Sequence, residues 1–262
     1  MEESLKELLV QPKIKEKVEL LKMASAIVWL PKGKWFDFWN GMIYEGDRMI
    51  KVYRTLDKMP VFAKAGAIVP LTEKEDKKSG EHREVAIFVG CSNTFLFCEE
   101  EEQVQTDYIL WWEEEKHFMI KAPKGEKKGI SQKRHYDLHF YGVCREAIES
   151  VSCAVNGEIQ DKEYDKEYVE EENHLILHLS NLGREEEVHV LFKKESDAVK
   201  NDIRTRAYEV LKQAQISHDT KERLYQLIES EKSATHRFSE MLALGLPREV
   251  LEVMGELLFA QL

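Results

Sequence analysis

The spacing of apolar residues changes once along this chain, after Lys194, and that change limits what the chain can fold into. Before Lys194, short apolar or alternating runs are separated by Pro, Gly and Asn-Gly, which is typical of β-strands joined by turns. After it, apolar residues recur every three or four positions, as on one face of a helix. The expected fold class is therefore mainly β with an α-helical C-terminal tail.

A charged segment, TEKEDKKSGEHRE, divides the β-rich part from Thr72 onward. The runs before it predict a proximal antiparallel β-sandwich domain over residues 1–75. The runs after it predict a distal antiparallel β-sandwich domain over residues 76–195, in which Asn156-Gly157 forms a tight hairpin turn. Residues 196–262 are then a helical C-terminal domain, folded as a short helical bundle.

The tail is expected to form four short amphipathic helices. Asp219 and Glu222 have the spacing of a capping box, with Asp in place of the usual Ser or Thr. Gly245 followed by Pro247 ends one helix and starts the next. Such helices can bury their apolar stripes only against each other, against the distal sandwich or against a partner, so a homo-oligomer contact is one alternative.

Charge and segment composition exclude several classes of partner. The net charge is -11 and the pI is about 5.4, so neither nucleic acid nor an anionic membrane surface would attract the chain. No apolar run reaches the roughly 20 residues that span a bilayer. The start is too charged for a secretory signal, and we expect a cytoplasmic protein.

The sequence lacks the common motifs of metal, phosphate-binding and catalytic sites. The four cysteines contain no CxxC pair, and the chain has no Gly-rich phosphate loop, no GxSxG and no HExxH motif. His178 and His189 alternate with apolar residues and are expected on the solvent side of strands. The acidic run Glu99 to Glu102 is interpreted as a solvated surface rather than a cation site. We therefore expect no catalytic residue, no metal and no cofactor.

The stretch GKWFDFWNGMIYEG, from Gly33 to Gly46, predicts a β-hairpin with more aromatic residues than one small strand pair can bury. Strand alternation places Trp35, Asp37 and Trp39 on one face. Phe36 and Phe38 lie on the other, where they are expected to fill the sandwich core. Two indoles that flank a carboxylate can dock on another domain or stack on sugar rings.

The segment VWLPKGKWFDFWNGMIYEGDRMIKVYRTLDKMPVFAKAGAIVPL resembles the region just after the catalytic barrel in glycoside hydrolase family 31, the α-glucosidase and α-xylosidase family. Its shared markers run from Leu30-Pro31 to Ala67-Ile68. ELLVQP, residues 7–12, looks like the first strand of that family's proximal C-terminal sandwich. Residues 120–143 are similar to its distal sandwich, and the tail resembles the ending of some bacterial members.

The resemblance implies that this chain corresponds to a region of family members that does not contain their catalytic machinery. Family members carry two catalytic aspartates on loops of a (β/α)8 barrel, and neither the motif nor the barrel is in this sequence. The chain is therefore expected to be inactive alone, with a catalytic barrel in cis or in trans as its partner. The candidate barrel-interface or sugar-contact residues are Trp35, Asp37, Trp39 and Phe62.

Two alternatives remain open from the sequence. In the first, the chain is a free-standing carbohydrate-binding module that holds an oligosaccharide with the hairpin residues or with Trp111 and Trp112. Adjacent residues of one strand point to opposite faces, which weakens the second pair. In the second alternative, the helical tail makes the chain a protein-interaction module.

Overall fold

A computed structural model of the chain describes residues 21–71, 82–99, 104–125, 131–159, 164–193, 195–197 and 200–261. The expected strand at residues 7–12 and most of the acidic run from Glu99 to Glu102 lie outside these ranges. The strands of the described residues, in chain order, are β1 Met23–Leu30, β2 Lys34–Asp37, β3 Ile43–Glu45, β4 Arg48–Thr55, β5 Phe62–Lys64, β6 Ile68–Leu71, β7 His82–Phe88, β8 Asn93–Glu99, β9 Val104–Trp112, β10 Lys116–Ile120, β11 Lys124–Gly125, β12 Lys133–Tyr141, β13 Ser152–Val155, β14 Glu158–Ile159, β15 Tyr164–Val169, β16 His174–Gly183 and β17 Val188–Phe192. The helices are α1 Ala147–Ser150, α2 Ile203–Gln213, α3 His218–Glu229, α4 Ala234–Ala243 and α5 Arg248–Phe259.

The distal part of the chain is a β-sandwich. One sheet has seven strands, β8 to β11 with β13, β14 and β17, and the other has five, in the order β15-β16-β12-β7-β6. Val85, Phe118, Leu138 and Leu177 are fully buried in the core that the two sheets share. Together with the C-terminal helices, these sheets confirm the expected fold class. One neighbouring pair, β7 with β12, is parallel.

The proximal part contains two small sheets. β1 pairs with β4, and β2 pairs with both β3 and β5. Phe36 is buried and Phe38 is partly buried against Phe88 of β7, as expected for two residues that fill a core. The five-stranded sheet is therefore covered on one face by the distal core and partly covered on its other face by the proximal sheet.

The predicted boundary at residue 75 follows strand β6. That strand pairs with β7 over Ile68 to Leu71, and Ile68 is buried in the distal core. Because β6 belongs to the region assigned to the proximal domain, the two β-rich parts share a sheet. The domain limits themselves stay a prediction.

The turn at Asn156-Gly157 has the conformation that its sequence requires. Both residues have positive φ, 51° and 85°, and the turn joins Val155 of β13 to Glu158 of β14. Only Asn, Asp and Gly adopt this left-handed conformation readily, and two such residues in succession make the tight turn of a two-residue hairpin.

Four helices form the tail, as predicted, but their packing surface differs from the expected one. Their buried residues form one cluster with Leu30, Tyr44 and Val52 of the proximal part, rather than with the distal sandwich.

The expected capping box at Asp219 and Glu222 is wrong. Helix α3 begins after Ser217, whose side chain accepts a hydrogen bond from the Thr220 amide, and Asp219 lies inside the first turn. Among the described helices, none has the length and hydropathy needed to span a bilayer.

Cysteine reactivity provides a test of this fold. Cys91 and Cys98 are exposed, Cys144 is partly buried and Cys153 is buried. Burial raises the pKa of the Cys153 thiol to about 11, so little thiolate is present near neutral pH. We expect iodoacetamide at pH 8 to modify Cys91 and Cys98 first, with Cys153 protected until the chain unfolds.

Mass spectrometry of tryptic peptides at successive times measures this order, and the same reaction in urea is the control that all four thiols can react. Equal rates at Cys91 and Cys153 in the folded protein would contradict the described core.

Candidate functional site

A buried cluster of charged groups joins the aromatic hairpin to the helical tail. Its centre is the Arg54 guanidinium of β4. Arg54 Nε lies 2.7 Å from Asp37 Oδ2, and Arg54 Nη1 lies 2.8 Å from Glu256 Oε1 of α5. The Asp37 side chain is fully buried, and the other two are 8% and 5% exposed. We refer to Asp37, Tyr44, Arg54 and Glu256 as the junction cluster.

Tyr44 completes the junction cluster with its hydroxyl. Arg54 Nη2 donates to Tyr44 Oη at 3.0 Å, and that hydroxyl donates to Glu256 Oε1 at 2.7 Å. The second oxygen of Glu256 accepts the Tyr53 amide at 2.8 Å. Burial, with the carboxylate of Glu256 next to the ring, raises the pKa of Tyr44 well above its usual value. The phenol therefore stays a donor over the ordinary pH range.

Arg54 remains charged inside the protein. Burial alone would lower the pKa of its guanidinium, but Tyr44, Glu256 and Asp37 outweigh that effect and raise it. A planar guanidinium can donate to several acceptors at fixed angles, so one side chain serves both carboxylates and the phenol. The two acids come from distant parts of the sequence, and the cluster holds those parts together.

A second ion-pair group lies beside the junction cluster and is more exposed. Glu252 of α5 accepts hydrogen bonds from Lys51 at 2.7 Å, from the Tyr53 hydroxyl, and from Arg248 at 2.8 Å. These hydrogen bonds, from Lys51 first, lower the pKa of Glu252 to about 2. Glu252 is therefore a carboxylate throughout the neutral range.

Backbone groups continue the attachment of the tail. The amide of Ile43 donates to the Asn201 side chain, which donates back to the Ile43 carbonyl, both at 2.8 Å. Asn201 thus pairs with β3 as a neighbouring strand would. At the other end, Arg48 donates to the carbonyls of Phe259 and Ala260, the last turn of α5. Positive charge is favourable at a helix C-terminus.

The tail leaves an open cleft of about 490 Å³ where the proximal part, the distal part and the tail meet. Arg54, Lys58 and Arg206 contribute cations to its lining, and Glu171 and Glu209 contribute carboxylates. Arg206 bridges two parts of its wall, because it donates to the Asn40 carbonyl at 2.7 Å and to the Glu171 carbonyl at 2.6 Å. None of the four predicted contact residues lines this cleft.

The structure separates Trp39 from Trp35 and Asp37, the two other hairpin residues that strand alternation placed on its face. Strand β2 ends at Asp37, so the alternation stops there, and Trp39 lies in the following turn. The Asp37 carboxylate points inward to Arg54, and its other oxygen accepts the Trp39 amide at 2.8 Å. The expected carboxylate between two indoles is therefore not formed on the surface.

The remaining predicted residues take different positions. Trp35 is partly buried and donates through its indole to the Pro31 carbonyl at 2.7 Å. Phe62 of β5 packs edge-on against Tyr44, with ring centroids 5.4 Å apart. Trp39 is 43% exposed and donates to the Met59 carbonyl. Of the four predicted residues, Asp37 thus belongs to the junction cluster and Phe62 contacts it. Trp39 is the one with a large exposed surface.

Exposed apolar side chains concentrate in the same part of the chain. Of the eleven large hydrophobic residues that are exposed in the described ranges, seven lie between residues 27 and 61. Ile27 and Trp29 share one face of β1, and Met49 lies opposite Trp29 on β4. Leu56, Met59 and Val61 lie in the loop between β4 and β5, to which Trp39 is hydrogen-bonded. Apolar side chains grouped in this way mark contact surfaces.

Trp111 and Trp112 are arranged as strand alternation requires. Trp112 is buried and donates to Asp197 at 2.5 Å. Trp111 lies on the other face and stacks on His117, with ring centroids 4.0 Å apart. The pair therefore forms no shared platform.

Sequence reasoning missed Arg54 and Glu256, which lie 202 positions apart. The nearest sequence signal for this ion pair was a charged residue within each of two apolar runs.

Comparison with known proteins finds a family model that matches the hairpin and its flanking residues. Residues 6–69 match the model of the glycosyl hydrolase family 31 C-terminal domain. Among curated proteins, an α-xylosidase of Saccharolobus solfataricus is 31% identical over 122 residues, which are 42% of this chain and 17% of the relative. Alpha-glucosidase 2 of Bacillus thermoamyloliquefaciens is 23% identical over 147 residues, 53% of this chain and 18% of the relative.

A solved structure shares the fold. A family 31 dextranase of Flavobacterium johnsoniae, determined with glucose, matches with a TM-score of 0.51 at 20% identity, over 64% of this chain and 24% of its own. The chain therefore spans less than a quarter of the length of each of these relatives. The expected resemblance to the post-barrel region of the family is confirmed.

Removal of the central cation tests the junction cluster. Arg54→Leu leaves two buried carboxylates without a counterion, and we expect the free energy of unfolding to fall by about 3–5 kcal/mol. Urea denaturation followed by tryptophan fluorescence measures it. The matched control is Arg248→Leu, which removes an arginine that is 82% exposed and is expected to cost less than about 1 kcal/mol. Equal losses in the two variants would contradict a central role for Arg54.

Acid titration tests Glu252. Because its pKa is lower in the folded protein than in the unfolded chain, its contribution is complete above pH 4.5 and is lost as the pH falls towards 2. We expect Glu252→Gln to lower stability at pH 7, with the difference from the unaltered chain shrinking through that window. Glu249→Gln, an exposed acid on the same helical turn, is the control for charge alone. A difference that does not change with pH would rule out the ion pairs as its source.

Proposed function

We propose that the chain is a non-catalytic module that supports a catalytic (β/α)8 barrel, on the premise that residues 6–69 match the glycosyl hydrolase family 31 C-terminal domain. In this proposal the barrel belongs to the same polypeptide or to a separate one. The module holds the barrel's active-site loops from behind and contributes no group to bond cleavage, which is how a non-reacting domain can affect rate.

The observation that carries the proposal is the apolar surface between residues 27 and 61. Trp29 is 52% exposed, Met49 is 61% exposed and Met59 is 75% exposed. A partner that covers such side chains gains roughly 25 cal/mol per Å² of apolar surface removed from water. These side chains lie in the segment that matches the family, where a neighbouring barrel would be in contact.

The carboxylates of the family-matching segment support a non-catalytic role. Glycosidases that retain configuration need two carboxyl groups about 5–5.5 Å apart around the bond that is cleaved. Asp37 is fully buried and bound to Arg54, so its charge serves the junction cluster. We infer that the chain alone hydrolyses neither p-nitrophenyl α-glucoside nor p-nitrophenyl α-xyloside, and turnover above a heat-denatured control would overturn this inference.

The first experiment is the mass of the protein in its source cells, by immunoblot with an antibody against this chain. A band well above the 30.7 kDa of the chain is expected if the barrel is in cis. A band at 30.7 kDa requires a barrel in trans, and an immunoprecipitate from the same cells should then contain a family 31 barrel. A band at 30.7 kDa without such a barrel would overturn the proposal. Cell fractionation in the same experiment tests the proposed cytoplasmic location.

The second experiment measures the exposed surface directly. In the isolated chain, Trp29→Ser with Met49→Ser should reduce the fluorescence of a bound apolar dye and any self-association seen by sedimentation. The control is Tyr208→Ser, because Tyr208 is 53% exposed on helix α2, outside the family segment. Equal dye signals in the two variants would count against the residue 27–61 surface as a contact site.

Sugar binding is the alternative that a specific observation favours, namely the partly exposed indole of Trp39. Titration with gluco-oligosaccharides, monitored by tryptophan fluorescence, distinguishes it from barrel support. Under our proposal the fluorescence does not change at millimolar sugar. A saturable change that Trp39→Ala abolishes and Trp111→Ala preserves would favour a carbohydrate-binding module.

A further inference from the structure

The outer face of the five-stranded sheet carries a cluster of groups that bind metals. His82, Glu84 and Asp137 each offer one ligand atom, and these atoms lie within 4.8 Å of one another. All three side chains are partly buried, and the His82 and Asp137 side chains are 15% and 21% exposed. An ion could therefore reach the cluster from solvent and still be held within the surface.

Strand register explains why the three groups meet. His82 and Glu84 are two residues apart on β7, so they share a face of the sheet. In the parallel pair of β7 and β12, Glu84 lies opposite Asp137. Further along the same face, Ala86 and Phe88 are covered by the proximal sheet. The cluster thus occupies the part of this face that precedes the covered residues of β7.

A fourth residue holds one of the three. His178 of β16 lies opposite Asp137 in the antiparallel pair, and its Nδ1 is 2.8 Å from Asp137 Oδ1. The other carboxylate oxygen, Oδ2, faces His82 Nε2 at 2.9 Å. One oxygen of Asp137 is therefore oriented by His178, which leaves the other on the side of His82. Second residues that orient a ligating carboxylate in this way are a regular feature of metal sites.

We propose that His82, Glu84 and Asp137 bind a divalent transition-metal ion of the Zn²⁺ type, with His178 as a positioning residue for Asp137. The donor set decides the class of ion. One imidazole with two carboxylates suits Zn²⁺ and neighbouring first-row metals, whereas Ca²⁺ and Mg²⁺ prefer oxygen ligands alone.

The bound ion would link β7 to β12 at the N-terminal end of β7. Its ligands come from two strands that are neighbours in space but 53 positions apart at Glu84 and Asp137. An ion that binds the folded chain and not the unfolded one raises stability by mass action. The role proposed for the ion is to stabilise the sheet, and it is independent of the proposed support of a barrel.

Isothermal titration of the full chain with Zn²⁺ tests the site, and Co²⁺ absorption reports the ligands. We expect one ion per chain and a rise in melting temperature with added Zn²⁺. His82→Gln and Glu84→Gln should each weaken binding at least tenfold, and His178→Gln should weaken it about 10–100-fold. It should also alter the Co²⁺ spectrum, which a purely structural role for His178 would leave unchanged. His236→Gln removes an exposed histidine of helix α4 and is the matched control.

Two results would overturn the site. One is the absence of binding at millimolar Zn²⁺ in the folded chain. The other is binding of unchanged affinity in both His82→Gln and Glu84→Gln, which would place the ion elsewhere. Circular dichroism checks the fold of each variant, and we expect both to fold because both positions are partly exposed on the sheet surface.

Discussion

The Arg54 guanidinium is the interaction on which the arrangement of this chain depends. It lies between Asp37 of the hairpin and Glu256 of the last helix, which are separated by most of the sequence. Each carboxylate is buried, and a buried charge without a partner is costly. The hairpin and the tail can therefore each bury their acid only when Arg54 lies between them, so the position of α5 against β4 is fixed by this requirement.

Hydrophobic packing supplies the driving force for the same contact, and the junction cluster supplies its specificity. The tail helices and the proximal strands share one apolar core, in which Val52, Ala207 and Met254 are fully buried. Apolar packing tolerates small shifts of one element along another. A guanidinium that must meet two carboxylates and a phenol at hydrogen-bonding distance tolerates them less, and the Asn201 pairing with Ile43 adds a second fixed point.

Sequence periodicity was sufficient to predict most elements, and it failed where contacts join distant residues. The change of period after Lys194 correctly separated strands from helices, and Asn156-Gly157 correctly predicted a tight turn because its backbone requirement is local. Trp35 and Asp37 lie two residues apart in β2 and therefore share a face, but β2 ends at Asp37, so alternation does not predict the position of Trp39. Alternation describes a strand only as far as its ladder continues, and no local pattern marks that end.

The candidate site was less accessible from sequence for the same physical reason. Glu256 appears in the sequence as one more acid on an amphipathic helix, and only its packing against Arg54 distinguishes it from exposed Glu249. The His82 cluster likewise depends on the parallel pairing of β7 with β12, strands that are not consecutive in the chain. Spacing rules find ligands that are close in sequence, whereas a sheet brings them together through register.

The tail also clarifies which surface of the proximal part is free. Strand β4 meets α5 through Tyr53 and Arg54, while Trp29, Met49 and the loop from Leu56 to Val61 keep their apolar side chains in solvent. In our proposal a catalytic barrel is the partner that covers this surface. The rigid attachment of the tail then matters for the barrel, since a support can hold another domain in place only if its own parts do not move relative to one another.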